Sequence, residues 1–116
     1  MNRVTIMGHL GKNPETKFLP AGTSVTNIVV ATTDKWKDKE GNAQEKTEWH
    51  RITFWGKQGE TIAKFFQKGS MILIEGKLQT RSWEDDKGVK KYSTEIQGSQ
   101  FYFCGSSKKA ESGLGQ

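Results

Sequence analysis

A single cysteine, Cys104, leaves this 116-residue chain with no internal disulfide to form. That excludes the small secreted scaffolds stapled by several bridges and accords with a reducing compartment. Apolar residues are also scarce, at 33% with a mean hydropathy of -0.74, so any core is thin. No stretch approaches the roughly 20 apolar residues of a membrane-spanning helix. Met1-Asn2-Arg3-Val4-Thr5 lacks the charged-then-apolar layout of a secretory leader. The expected location is the cytoplasm, with no membrane partner. The two histidines, His9 and His50, form no zinc-ligand spacing with Cys104. Paired cysteines, a phosphate loop with Gly-Lys-Ser or Gly-Lys-Thr and a His-x-Glu deaminase signature are all missing. Metal, cofactor and catalytic residues are therefore expected to be none. One carboxylate run, Glu84-Asp85-Asp86, has the composition of a metal-assisted hydrolytic site. Its place before Lys87-Gly88 makes it read as a solvated hairpin tip.

What the chain does have is tryptophan and positive charge. Its 18 Lys+Arg outnumber 13 Asp+Glu, giving a net charge of +5 and a sequence pI near 9.4. Such a surface attracts polyanions. All four tryptophans stand beside charged or small polar residues: Lys35-Trp36-Lys37, Glu48-Trp49-His50-Arg51, Phe54-Trp55-Gly56-Lys57 and Arg81-Ser82-Trp83-Glu84. Core tryptophans would sit more comfortably in apolar runs. Flat aromatic surfaces beside cations are what a protein needs to stack bases while holding a phosphate backbone.

Periodicity organises the chain into strands interrupted once by a helix. Val4, Ile6 and Leu10 alternate with polar residues in a first strand ending near Gly11. Asn13-Pro14-Glu15 and Pro20-Ala21-Gly22 mark turns. A second run, Val25 to Thr33, is rich in Val, Ile and Thr, and its centre does not alternate. Asp34 to Lys46 reads as a polar hairpin arm or loop, and Thr47 to Trp55 as a third strand. Between Lys57 and Lys68, Ile62, Phe65 and Phe66 fall at helical spacing, and Gly69 stands where a helix would end. Ser70 to Ser82 alternates as a fourth strand. A fifth runs from Lys91 to Gln97, followed by the aromatic run Phe101-Tyr102-Phe103. Residues 1–104 form one expected domain, and residues 105–116, rich in Ser, Lys and Gly, an expected disordered tail.

Five strands with one short helix between the third and fourth give an all-β class in the order of an OB-fold, a Greek-key barrel. Parity then assigns faces. In the third strand Ile52 and Phe54 share one side, and Trp49, Arg51, Thr53 and Trp55 the other. In the fourth, Ile72, Ile74 and Leu78 are expected inside, with Lys77, Arg81 and Trp83 outside. Trp36 follows an unbroken apolar run, so parity does not place it, and its exposure is expected from Lys35 and Lys37.

The stretch Asn2-Arg3-Val4-Thr5-Ile6-Met7-Gly8-His9-Leu10-Gly11-Lys12-Asn13-Pro14-Glu15, then Asn27-Ile28-Val29-Val30-Ala31-Thr32, resembles the opening of bacterial single-stranded DNA-binding proteins. Thr47-Glu48-Trp49-His50-Arg51, Lys68-Gly69-Ser70, Ile74-Glu75-Gly76-Lys77-Leu78 and Thr80-Arg81-Ser82-Trp83 continue the likeness in the family's order, over roughly residues 2 to 97. The resemblance implies an OB-fold, a homotetramer, and the coating of exposed single-stranded DNA in replication, recombination and repair. It implies that Trp36, Trp49, Trp55 and Trp83 stack on bases. Trp55 departs modestly, since phenylalanine is familiar there. The resemblance also puts His50 near subunit contacts, whereas the residue pattern alone fits a satisfied strand histidine.

Stacking on π faces is indifferent to base identity. Lys35, Lys37, Lys39, Arg51, Lys57, Lys68 and Arg81 are the candidate phosphate contacts. The family pattern continues through a Gly-, Pro- or Gln-rich linker to an acidic tip. This sequence reaches Ser112-Gly113-Leu114-Gly115-Gln116 with neither, so recruitment of enzymes through a tip is not expected. A primosomal-type module organising replication proteins is the alternative within the same barrel, and an OB-fold enzyme a third class lacking a catalytic constellation here.

Overall fold

Alternating side chains let a strand bury one face while the other meets water, and in this chain that pattern closes a barrel. The computed structural model describes residues 1–104. Among these described residues the chain forms six strands and one helix: β1 (Val4–Leu10), β2 (Glu15–Phe18), β3 (Ser24–Lys37), β4 (Ala43–Trp55), α1 (Lys57–Phe65), β5 (Met71–Glu84) and β6 (Lys90–Phe103). The expected tail lies outside the described residues. No helix among them is long and apolar enough to cross a membrane.

Strand β1 pairs with both β3 and β5, β5 with β6, β6 with β4, and β4 with β3. These five strands close into an OB-fold barrel, with α1 between its third and fourth strands as expected. Among the described residues only the β4–β6 contact is parallel, and it is brief: Ile52 opposite Ile96 and Thr53 opposite Gln97. Beyond it β3–β4 and β5–β6 continue outward as two separate ribbons.

Inward-facing side chains form one cluster. It contains Leu10, Ile28, Val30, Ile52, Phe54, Ile72, Ile74 and Ile96, joined by Ile62 of α1 and by Phe66 just beyond it. Each such side chain contributes about 1.5–3 kcal/mol by leaving water. Two buried polar residues share this parity on β3. Ser24 donates its hydroxyl to Glu60 of α1 at 2.6 Å, and the hydroxyls of Thr26 and Thr16 are 2.8 Å apart.

Four details differ from the sequence-based expectation. First, β2 was not foreseen, because four mostly exposed residues between two proline turns carry no apolar alternation; it pairs along the edge of β3. Second, α1 stops at Phe65 rather than near Lys68. Phe66 turns extended (φ −114°, ψ 153°) and is buried, while Phe65 is left outside against Phe103. Gly69 (φ 92°) instead serves the following turn, its N–H donating to the Leu10 carbonyl. Third, β6 unites the fifth strand with the aromatic run. The register shifts where Glu75 and Gly76 face Gln100 and Gly98, leaving Ser99 as an extra residue. That bulge reverses the parity, so Ile96 before it and Phe101 after it both pack on the core. Fourth, Leu78, expected inside, is 50% exposed. Its parity is correct, but at this point the strand leaves the barrel and no element among the described residues covers it.

Candidate nucleic-acid interface

Because β4 and β6 meet at only two residue pairs, the outer faces of the two ribbons form the walls of a groove. From β4 come Trp49, Arg51, Thr53 and Trp55, on the side opposite Ile52 and Phe54, neighboured across β3 by Ala31, Val29, Asn27 and Val25. From the other ribbon come Lys77, Gln79, Arg81 and Trp83 of β5, facing Gln97, Glu95, Ser93 and Lys91 of β6. A cavity of about 340 Å³ on this surface is lined by Asn27, Thr53, Trp55, Gln79, Arg81 and Gln97. A second, of about 430 Å³, lies at the gap between the ribbons and is lined from both faces, by Trp49 and Arg51 from the outer one and by His50, Leu78 and Thr94 from the inner. Glu95 and Ile96 line both, so they mark the saddle between them.

The tryptophans are all exposed, but differently held. Trp49 is 61% exposed, and the benzo half of its indole lies over Gly11. A Cβ at Gly11 would stand 2.4 Å from Cζ3 of Trp49, so only glycine leaves this ring its place. Trp83 carries the Arg81 guanidinium 5.3 Å from its ring centroid, within cation–π range. Trp55 borders the groove directly. Trp36 is exposed as expected, but it shares the parity of Ile28 and Val30. It therefore stands on the other face of the β3–β4 ribbon, in an open cleft with Lys35, Lys37 and Gln44. Three of the four tryptophans thus share the outer face, and the fourth extends beyond the barrel on its reverse.

Among the candidate cations, Arg81 alone is paired within the described residues. Its Nε and Nη2 donate to Oε2 of Glu95 at 3.3 and 3.1 Å. Those bonds hold the Glu95 carboxyl below its ordinary value despite partial burial, and the charges of Arg81 and Arg51 add to the effect. Lys35, Lys37, Lys39, Lys57, Lys68 and Arg51 form no ion pair among the described residues. Arg51 lies between Trp49 and Trp55 on their face. Lys35 and Lys37 flank Trp36, and Lys39 occupies the ribbon tip. Lys57 opens α1 two residues after Trp55. Lys68 donates its N–H to Oδ1 of Asn13 at 2.8 Å, in a turn tied to Leu10 and hence beside Gly11, on which Trp49 rests.

His50 is half-buried, with Nε2 2.8 Å from the Thr32 hydroxyl, so it has a partner within its own chain. Glu84-Asp85-Asp86 lies at the ribbon tip as expected, with Oδ1 of Asp85 accepting the N–H groups of Lys87 and Val89. No cluster of three metal-ligating side chains occurs among the described residues. Sequence reasoning missed the polar floor of the groove: Asn27 and Gln97 were not singled out, nor was Glu95. Alternation around Ile96 was the available signal for the last two.

A surface of exposed aromatics flanked by cations on an OB barrel is suited to holding an unpaired polynucleotide. Residues 1–104 match the model of the "Single-strand binding protein family". The chain belongs to that family. Single-stranded DNA-binding protein 1 of Chlorobaculum tepidum is 50% identical over 97 residues, covering 83% of this chain and 60% of that protein. The protein of the same name in Xylella fastidiosa is 43% identical over 106 residues, covering 90% and 78%. This chain therefore spans about 60% of the length of its Chlorobaculum relative. Among solved structures, the Plasmodium falciparum SSB complex with ssDNA superposes with a TM-score of 0.82 at 30% identity, over 90% of this chain and 95% of that one. A deletion mutant of the single-stranded DNA binding protein from Thermus aquaticus gives 0.77 at 29% identity, over 88% and 49%. The family's fold and this chain's barrel are the same.

Proposed function

We propose that this chain binds single-stranded DNA without reading its sequence, stacking bases on Trp49, Trp55, Trp83 and Trp36 and neutralising phosphates with Arg51, Arg81, Lys35, Lys37, Lys39, Lys57 and Lys68. The observation that carries this reading is the groove between the ribbons, where Trp49, Trp55 and Trp83 share one face with Arg51 and Arg81. A duplex hides the faces of its bases, so such a groove favours a single strand. Family membership and the ssDNA-bound Plasmodium relative support the choice of ligand. The activity is that of a binding protein and not of an enzyme, protecting exposed strands during replication, recombination and repair in the cytoplasm. A homotetramer fits this role. Its support is the run of exposed apolar side chains, Met7, Met71 and Tyr102, on the outer face of β1, β5 and β6.

Tryptophan fluorescence titrated with oligo(dT) and with duplex DNA at two salt concentrations tests the reading. Strong quenching by the single strand, weak quenching by the duplex, and affinity that falls with salt are expected. Equal quenching by both would overturn it.

A further inference from the structure

The Arg81–Glu95 pair puts a carboxylate in the middle of a surface otherwise built for phosphate. Three donors converge on a single oxygen of Glu95: Nε and Nη2 of Arg81 at 3.3 and 3.1 Å, and the Ser93 hydroxyl at 3.2 Å. Arg81 reaches it diagonally, since Arg81 faces Ser93 across the ribbon while Glu95 faces Gln79. The same guanidinium lies over Trp83, so it is held both by the carboxylate and by the ring face. Glu95 also feels the charge of Arg51 and lines both cavities of the groove.

The fold does not require this carboxylate. With side chains 63% and 23% exposed, the pair belongs to the class of solvent-accessible ion pairs that add little to stability. Neither partner would become a buried lone charge if the other were lost. Its electrostatic effect falls instead on whatever anion enters the groove.

We propose that Glu95 is an anionic brake on the groove: it occupies Arg81 in place of a backbone phosphate and sets the affinity for single strands below what the arginines alone would give. An incoming phosphate exchanges with the carboxylate or binds against its charge, and a departing one is replaced by it. Arg81 is thereby kept in position over Trp83 whether or not a strand is bound, and the strand leaves more readily. Glu95 acts through Arg81 and is a positioning residue. The proposal rests on the single-strand reading above.

The test titrates oligo(dT) against wild type, Glu95→Gln, Arg81→Gln and the double variant over a range of salt. Glutamine keeps an acceptor for Arg81 and Ser93 but removes the charge. Glu95→Gln is expected to bind roughly two- to fivefold more tightly, the scale of an exposed ion pair, chiefly through slower dissociation. Its slope of log affinity against log salt should steepen by about 0.7, one further phosphate on a single strand. In the Arg81→Gln background the gain should shrink to the part carried by Arg51. Thermal melts certify that each variant is folded. If Glu95→Gln does not fold, Glu95→Ala carries the test: it removes the carboxylate altogether and frees Arg81, and tighter binding is again expected. Unchanged or weaker binding by a folded Glu95 variant, beside a wild type that binds, would overturn the brake alone. A wild type that does not bind oligo(dT) would instead overturn the function reading on which it stands.

Discussion

At the tip of the β3–β4 ribbon, Oδ1 of Asp38 accepts the N–H groups of Glu40 and Asn42 at 2.9 and 2.8 Å. At the tip of the β5–β6 ribbon, Oδ1 of Asp85 accepts those of Lys87 and Val89, both at 2.9 Å. Each aspartate also exchanges backbone hydrogen bonds across its turn, through Asn42 and Gly41 in one case and Val89 and Gly88 in the other. Gly41 and Gly88 have φ of 84° and 79°, the left-handed region that glycine enters without a steric penalty. The two ribbons therefore end in the same turn, yet they present their aromatics differently. Trp83 lies on the groove face of its ribbon beneath Arg81, whereas Trp36 lies on the reverse of its own, continuing the parity of Ile28 and Val30. Turn chemistry makes a ribbon. The phase in which its strands leave the barrel decides what the ribbon offers.

Truncating the two ribbon tryptophans tests that difference most strongly. Trp83→Ala should weaken oligo(dT) binding by about 1–3 kcal/mol, the worth of one stacked base, and Trp36→Ala by less, as read from fluorescence anisotropy. Equal losses would mean that the strand wraps both faces of the β3–β4 ribbon. Next in size, a valine at Gly41 or at Gly88 forces a branched side chain into left-handed backbone and should cost about 1–2 kcal/mol of stability in either tip. Chemical denaturation of both variants checks the equivalence, which fails if only one ribbon is sensitive. The smallest effect is the acid response of the Asp38 tip. The Asn42 N–H, with help from the Glu40 N–H, holds this carboxyl below its ordinary value of 3.8 against the opposing cost of desolvation. Since the folded value is the lower one, the turn is favoured while Asp38 is ionised. Its contribution is whole above the ordinary value and is lost as pH falls through the folded value. A carboxyl NMR titration should place the Asp38 midpoint below 3.8, and Asp38→Asn should abolish this local pH response.

Much of the barrel was legible because alternation is written locally. Ile52 and Phe54 against Trp49, Arg51 and Trp55 is enough to turn one face of β4 inward, and the structure agrees. Legibility fails where a longer-range constraint resets the phase or removes the cover. The bulge at Ser99 allows Ile96 and Phe101 to pack together despite opposite parity, and nothing in the run from Lys91 to Phe103 announces it. Leu78 has a core parity in a place where the core has ended. β2 has no apolar pattern because it exists as an addition to the edge of β3.

For the candidate site, residue types and neighbours were enough to anticipate that the four tryptophans are exposed, since aromatics between charges need explaining. Their relation to one another was not legible. Gly11 comes to lie beneath Trp49 only when β1 has closed against β3. Glu95 meets Arg81, 14 positions away, only when β5 and β6 are paired in register. The sequence by itself determined the five barrel strands, the helix and the turns between them, though not β2 or every boundary, because backbone preference and side-chain alternation act over a few neighbours. The tertiary structure alone decided that Trp36 faces away from Trp49, Trp55 and Trp83, and that a carboxylate in the groove pairs with Arg81. Those are consequences of register and closure, which bring together residues that no local rule connects.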